Sequence, residues 1–116
     1  MPPEIRKYLQ DALDACGLLG SFVQGKGLQD YVADPLLKAG VEREFTIIGE
    51  ALLQGHKSDQ SLDMHISQLR RIIGFRNILV HGYAQIDDQK VWGVIQKDVP
   101  VLKIELQRLL SSLSPP

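Results

Sequence analysis

Arg76-Asn77-Ile78-Leu79-Val80-His81-Gly82-Tyr83 ends the segment with the clearest helical periodicity in the chain. Ahead of this stretch, apolar residues recur at spacings of three and four, which on a helix form one stripe that faces a core. The stripe consists of Leu62, Ile66, Leu69, Ile73 and Val80, and Arg76 fills its one gap. A guanidinium on such a stripe stays charged and needs water or hydrogen-bonding partners. Arg76 therefore snorkels from the stripe edge, pairs with a carboxylate, or serves a site.

The composition predicts a single globular domain spanning residues 1–116. With 116 residues, of which 44% are hydrophobic, the chain can bury a core of useful size. Its net charge is -1, so it has no overall basic field for nucleic acid. Any RNA contact must then come from a local patch, for which Arg70, Arg71 and Arg76 are candidates. The same cluster is equally compatible with a solvated helix face.

Cysteine usage and the N-terminal sequence favour a cytoplasmic protein. The single Cys16 excludes an intramolecular disulfide, and it lies on an apolar stripe that predicts core packing. The first residues, Met-Pro-Pro-Glu-Ile-Arg, lack the apolar run of a signal peptide, and no stretch reaches membrane-spanning length. His56 and His65 are each isolated in polar surroundings, which favours surface histidines over metal ligands. We expect no metal and no cofactor.

Helical periodicity and capping residues predict an all-α fold in the first half of the chain. The first helix should run from about Pro3 to Val23 and end at the glycines of residues 24–27. Asp34 followed by Pro35 is a good pair for the start of a second long helix, which should reach about Gln54. Residues 55–59 then form a turn.

The second half of the chain predicts two further helical segments. Ser61 or Asp59 caps the third helix, which continues to His81 and ends at Gly82. Asp87 or Asp88 caps the last segment, in which Pro100 predicts either a kink or a break with Asp98 capping a separate helix. With short connections and no strand pattern, the chain should form an antiparallel up-and-down bundle of four to five helices.

Three blocks of sequence resemble the HepT-like toxins of the HEPN-domain proteins. Arg76-Asn77-x-x-x-His81-x-Tyr83 is similar to that family's active-site signature. Residues 40–51, Gly-Val-Glu-Arg-Glu-Phe-Thr-Ile-Ile-Gly-Glu-Ala, resemble the family's second-helix block, and Asp98-Val99-Pro100 resembles its last segment. The chain departs from the pattern at Gln68-Leu69, where Pro-Trp is common, and at Gly40, where alanine is usual.

The resemblance implies a metal-independent endoribonuclease toxin of a toxin–antitoxin pair. It implicates Arg76 and His81 in catalysis and makes Tyr83 the residue to which an MntA-like nucleotidyltransferase antitoxin attaches AMP. The expected partners are RNA, that antitoxin and a second copy of the chain, with a larger hetero-oligomer left open. The alternative for Tyr83 is a structural role, in which its ring packs on the bundle while its hydroxyl reaches water.

Helix geometry sets a condition on the catalytic pair. Five residues turn an ideal helix by ~500°, which leaves Arg76 and His81 ~140° apart. Either the helix opens before His81, or the arginine reaches around it, or another chain completes the site. A symmetric dimer in which two motifs face each other would supply two imidazoles, one as base and one as acid.

Three more residues are expected to support the site. Asn77 belongs to the motif, whereas Arg43 and Glu50 share one face of the second long helix because seven residues make about two turns. The latter two either line the site or form a structural pair that orients Arg76. The alternative function is a non-catalytic helical dimer that binds or modulates a nucleotidyltransferase.

Overall fold

The computed structural model describes residues 1–81 and 86–113, and these residues form helices connected by turns. No strand occurs in this part of the chain, so the all-α prediction is confirmed. The last three elements follow one another without a break and make one continuous helix. The elements are α1 (Ile5–Val23), α2 (Leu28–Ala33), α3 (Pro35–Ser58), a 3₁₀ turn (Gln60–Met64), α4 (Leu69–His81), α5 (Asp88–Gly93), a π turn (Val94–Asp98) and α6 (Val99–Ser112).

The central unit of the fold is the antiparallel pair of α1 and α3. The end of α3 packs on the start of α1, where the Cβ position of Gly55 lies 3.7 Å from Tyr8 Cβ. At the other end, Gly40 approaches the ring of Phe22. Helix α4 packs on α3, and α6 packs on α1. Among the described residues, no helix combines the length and the hydropathy needed to cross a bilayer.

The apolar positions predicted from periodicity fill the core. The α1 stripe, the α3 stripe and the stripe of the C-terminal helix meet in one hydrophobic cluster. Cys16 belongs to this cluster, as predicted from its position. The buried residues of the three stripes are Ile5, Leu9, Ala12, Cys16, Leu19, Leu37, Val41, Phe45, Ile48, Leu52, Val91, Ile95, Val99, Leu102, Leu106 and Leu109.

Asp34 starts α3 as its sequence context predicts. Its side chain accepts hydrogen bonds from the backbone N–H groups of Leu36 and Leu37, both at 3.1 Å. Pro35 occupies the first helical position, where a backbone N–H would have no acceptor within the helix, so its absence costs no hydrogen bond. Asp87 caps α5 in the same way, by accepting from Gln89 N and Lys90 N.

Asp34→Ala should lower the free energy of unfolding by about 1 kcal/mol, because two N–H groups at the start of α3 lose their acceptor. Urea unfolding followed by circular dichroism would measure the change. Asp11→Ala, at an exposed position within α1, is the matched control and should change stability by less than about 0.5 kcal/mol. Equal losses in the two variants would contradict the capping role.

The second long helix is longer than predicted. It continues through residues 55–57 to Ser58, so the predicted turn at 55–59 is wrong. Gly55 is buried inside the helix, and a Cβ there would lie 3.1 Å from Leu62 Cδ2. The glycine permits the following segment to fold back closely on α3, and it does not end the helix.

The predicted third helix is two elements, which is a correction. Asp59 caps only the 3₁₀ turn, by accepting from Ser61 N at 2.9 Å. Leu62 and Ile66 are buried as predicted, but α4 begins only at Leu69. Between them, the backbone N–H and the hydroxyl of Ser67 donate to the carboxylate of Glu105 in α6. The break changes the phase of the stripe. As a result Ile72 is buried in place of Ile73, and Val80 is exposed.

Pro100 produces neither a break nor a new N-cap. The helix widens into the π turn, and Val99 N donates to Val94 O, five residues back. Asp98 has helical dihedrals and makes no capping bond, so the alternative of a break with Asp98 as the N-cap is wrong. Its carboxylate instead forms an ion pair with Arg71 of α4, with Nε and Oδ2 2.9 Å apart.

Cys16 should not react with a thiol reagent in the folded protein. Burial raises the pKa of its thiol to about 12, and the positive charge of Lys103 only partly offsets this rise. The reactive thiolate is therefore absent at neutral and mildly alkaline pH. A disulfide reagent such as DTNB should label the thiol only after denaturant is added. Rapid labelling of the native protein would contradict this burial.

Candidate functional site

Arg76 lies where α4 crosses α3, and the aliphatic part of its side chain packs against the backbone of α3 at Gly49. A Cβ built on Gly49 would overlap Arg76 Cβ and lie 2.5 Å from Arg76 Cγ. Any larger residue than glycine would therefore push α4 away from α3 at this crossing. The close approach explains how a charged residue can occupy the apolar side of α4, because its methylene groups do the packing there.

The guanidinium of Arg76 is held by two neighbours. Its Nη2 forms an ion pair with Glu50 Oε2 at 2.9 Å, and its Nη1 donates to Asn77 Oδ1 at 2.9 Å. Glu50 is itself fixed by Gln54 Nε2, which donates to Oε1 at 3.1 Å. The arginine side chain is only 18% exposed, and its Nε is buried without a hydrogen bond among the described residues. The sequence leaves three roles open for Arg76, and the structure shows one of them, the pairing with a carboxylate.

An open groove of about 620 Å³ runs between α1 and α3 and reaches Arg76. Arg43 and Glu50 both line this α1–α3 groove, so they share a face as predicted. They do not pair with each other, because two helical turns separate them by ~10 Å along the axis. Glu50 pairs with Arg76 instead, and within the described part of the chain Arg43 has no ion pair.

His81 is the last residue of α4 and is exposed. Since the helix continues through it, the possibility that the helix opens before His81 is excluded. The helical rotation of ~140° and rise of ~7.5 Å over five residues place His81 on a different side of α4 from Arg76. Gly82 and Tyr83 lie outside the described residues.

The cluster Arg70, Arg71 and Arg76 is divided by the fold. Arg70 forms an ion pair with Asp63 and Arg71 with Asp98, both on the side of α4 away from Arg76. The hydrogen bonds that Arg70 donates to Asp63 lower the pKa of that carboxyl and raise the pKa of Arg70. Arg76 thus belongs to a separate site.

Gly49 is the residue of this site that the sequence reasoning missed. The signal was a glycine inside an otherwise apolar helix face, directly before Glu50. The block of residues 40–51 that resembles the family contains Gly49, but residue spacing does not identify its partner on α4. In the described ranges, no group of three or more His, Cys, Asp or Glu side chains is arranged to hold a metal ion.

The family model and the relatives that match this chain all carry ribonuclease names. Residues 12–109 match the family model described as "Ribonuclease HepT-like". "Putative RNase TTE0752" of Caldanaerobacter subterraneus subsp. tengcongensis is 30% identical over 105 residues, which cover 90% of this chain and 93% of that protein. "Probable ribonuclease HepT" of Thermococcus cleftensis is 28% identical over 104 residues, which cover 90% and 94%.

A third relative, "Putative RNase MJ1380" of Methanocaldococcus jannaschii, is 25% identical over 90% of this chain and 94% of its own length. No solved structure is significantly similar to the chain. At the level of the family, these matches support a ribonuclease. The protein therefore belongs to the HepT-like ribonuclease family.

Proposed function

We propose that this protein is a metal-independent endoribonuclease toxin of a toxin–antitoxin pair, in which Arg76 and His81 act together across a symmetric dimer. The observation that carries the proposal is the placement of the motif on α4. An arginine held by an ion pair and an exposed histidine lie about 1.4 turns apart at the end of one helix. Membership of the HepT-like ribonuclease family supports the same chemistry.

The reaction that suits these residues is an attack by the ribose 2′-hydroxyl on its own phosphate. One imidazole removes the hydroxyl proton, and O2′ bonds to phosphorus to form a 2′,3′-cyclic phosphate. The bond from phosphorus to O5′ breaks, and a second, protonated imidazole gives its proton to that oxygen. A guanidinium next to the non-bridging oxygens stabilises the charge that develops on them.

The dimer follows from the separation of the two side chains within one copy. Arg76 faces α3, whereas His81 points elsewhere, so one chain does not bring them onto the same phosphate. Two copies related by a two-fold axis through the ends of α4 would place His81 of each beside the motif of the other. Val80, an exposed apolar residue at this end of α4, is a side chain that such a contact would cover.

Tyr83 is proposed as the point of control. The antitoxin, a nucleotidyltransferase, would transfer AMP to its phenol two residues after His81. The added phosphate would repel the RNA phosphate, and the nucleoside would fill the space that substrate needs.

A specific observation favours the alternative of a non-catalytic helical dimer that binds a nucleotidyltransferase. Both terminal nitrogens of Arg76 already have partners in Glu50 and Asn77, as expected of a structural arginine. The two functions differ in whether the protein alone cuts RNA. If Arg76 is catalytic, Nη1 and Nη2 each still have a second N–H that can donate to a phosphate oxygen.

Growth after induced expression of the isolated chain tests the proposal. Arrest that Arg76→Ala and His81→Ala both relieve at equal protein level supports the nuclease. Purified protein should then cut RNA in the presence of EDTA, and its specific activity should fall on dilution below the dimer dissociation constant. Absence of arrest and of cleavage would contradict the nuclease and favour the non-catalytic dimer that binds a nucleotidyltransferase.

Tyr83→Phe should remain toxic when the nucleotidyltransferase is co-expressed, and silencing equal to that of wild type would contradict the role of Tyr83.

Glu50 should act as a positioning residue for Arg76. Glu50→Ala is expected to lower kcat/KM for RNA by about ten- to a hundredfold, because the guanidinium loses the carboxylate that fixes it. Glu50→Gln should recover part of the loss, since its amide oxygen can still accept from Arg76 Nη2. Thermal unfolding of each variant separates this effect from stability. A fall in Tm with unchanged kcat/KM would show a structural role only.

A further inference from the structure

A second groove, of about 460 Å³, lies on the opposite side of α4, between that helix and the α5–π-turn segment. Its charged lining consists of three cations, Arg70, Arg71 and Lys90, against one carboxylate, that of Asp98. Apolar residues complete the wall of this α4–α5 groove, and Ile78 among them is 59% exposed. Cations beside an exposed apolar surface are what a nucleic-acid strand requires, for phosphates and bases respectively.

The two carboxylates near this groove fix the arginines without using up their donors. Asp98 engages Arg71 through Nε, which lies 2.9 Å from Oδ2. Asp63 engages Arg70 through Nε and Nη2, which leaves Nη1 open. The side chains of Arg71 and Arg70 are 62% and 80% exposed. Each guanidinium is therefore held by one edge and presents another edge to solvent.

The α1–α3 groove has the opposite charge balance. Four carboxylates, those of Asp11, Asp14, Glu44 and Glu50, line it with only two arginines. A phosphate backbone lying along that groove would meet more negative than positive charge. Of the two grooves, only the α4–α5 groove carries an excess of cations, although the protein as a whole has a net charge of -1.

Helix geometry connects the α4–α5 groove with His81. Arg70 and His81 are eleven residues apart, and Gly74 and His81 seven residues apart, so all three lie within ~20° of one line along α4. The distance from Arg70 to His81 along the axis is ~16 Å. At a rise of 3.4 Å per phosphate, this distance corresponds to about five nucleotides of a stacked strand.

We propose that the α4–α5 groove binds the backbone of single-stranded RNA and leads it to His81. Arg70, Arg71 and Lys90 contact phosphates on one side of the scissile bond, while Ile78 contacts a base. This inference rests on the proposed ribonuclease function for its substrate, and it adds the path by which the substrate enters. It also separates two roles among the arginines: Arg70 and Arg71 bind flanking phosphates, and Arg76 serves the phosphate that reacts.

Binding of a non-cleavable strand tests the groove apart from the chemistry. The probe is fluorescein-labelled 2′-O-methyl oligouridylate of roughly 15 nucleotides, within the range that single-strand binding sites cover. Its blocked 2′-oxygen prevents cleavage, so the unaltered active site can be used. Fluorescence anisotropy gives Kd at several salt concentrations for the full-length protein, for Arg70→Gln/Lys90→Gln and for Arg108→Gln/Lys103→Gln. The last variant loses the same charge at exposed positions of α6.

The groove variant should bind about tenfold more weakly at low salt, and the slope of log Kd against log salt should fall by about 1.4, the value for two lost phosphate contacts. The α6 control should stay within about twofold of wild type. Asp63→Asn should tighten binding about threefold, because it releases the guanidinium of Arg70. Equal weakening by both double variants, or no weakening by the groove variant, would overturn the proposal.

Cleavage of unmodified oligouridylate by the same wild-type preparation decides the proposed function separately. Groove-dependent binding without cleavage would support the groove and remove the nuclease. Cleavage whose substrate binding does not depend on Arg70 and Lys90 would support the nuclease and overturn the groove.

Discussion

His81→Ala is expected to lower the rate of RNA cleavage by about 10²- to 10⁴-fold, the range for loss of a general acid or base. The expected loss is large because, in the proposed dimer, the substitution removes both imidazoles at once. Stability should change little, since His81 is exposed at the end of α4. Single-turnover cleavage of a labelled RNA and thermal unfolding would measure the two quantities.

His65→Ala is the matched control, because His65 is also exposed but lies in the turn before α4. It should retain the wild-type rate. Mixing His81→Ala with wild-type subunits adds a test of the dimer: the mixed dimer keeps only one of the two imidazoles that the proposed reaction uses, so added variant subunits should lower the activity of the wild-type protein. Full activity of His81→Ala, or equal losses in both histidine variants, would end the assignment.

Gly49→Ala is expected to be strongly disruptive, although it adds only one methyl group. The added methyl group would overlap Arg76 Cβ, and relief requires either that α4 move away from α3 or that Arg76 leave its place. Overpacking of this kind typically lowers the free energy of unfolding by about 1–3 kcal/mol, although alanine is the better helix former. For a domain of this size, each kcal/mol lowers Tm by roughly 4 °C.

The activity of Gly49→Ala should fall further than its stability, because the displaced guanidinium loses Glu50. Gly20→Ala is the control: its Cβ would meet no atom within 4 Å in α1, and it should raise stability by about 0.5–1 kcal/mol. Arg76→Gly combined with Gly49→Ala removes the side chain that the added methyl group would overlap, and it should recover stability without activity. A Gly49→Ala protein as stable and active as wild type would show that the crossing tolerates an added methyl group.

The helices and their buried faces could be predicted because periodicity and caps are local signals. Asp34 with Pro35 marked the start of α3, and the α1 and α6 stripes marked the core. Gly55 was misjudged because a glycine that permits close packing and one that ends a helix look alike in sequence. The break before α4 was missed because Leu62 and Ile66 remain buried when the helix around them becomes a turn.

The contacts of the candidate site could not be predicted from the sequence. The motif named Arg76, His81 and Asn77, and the helix spacing gave the angle between the first two. Glu50 pairs with Arg76 and not with Arg43, because α4 crosses α3 beside Glu50. The sequence does not reveal where the two helices cross. The division of the arginines between two grooves is likewise a tertiary property, since Asp98 and Lys90 come from a different helix.

The π turn before Pro100 has a consequence for how this chain is aligned with its relatives. A π turn holds one residue more than an α turn, and Val91, Ile95 and Val99 accordingly follow one another at two successive spacings of four. Deleting one residue from 94–98 would rotate α5 by ~100° relative to α6 and carry Val91 out of the core. Asp88, whose carboxylate meets Lys38 at 2.9 Å, would lose its partner by the same rotation. Alignment gaps should therefore be absent from this turn in relatives that keep the proline, and a gap of one residue should accompany its loss.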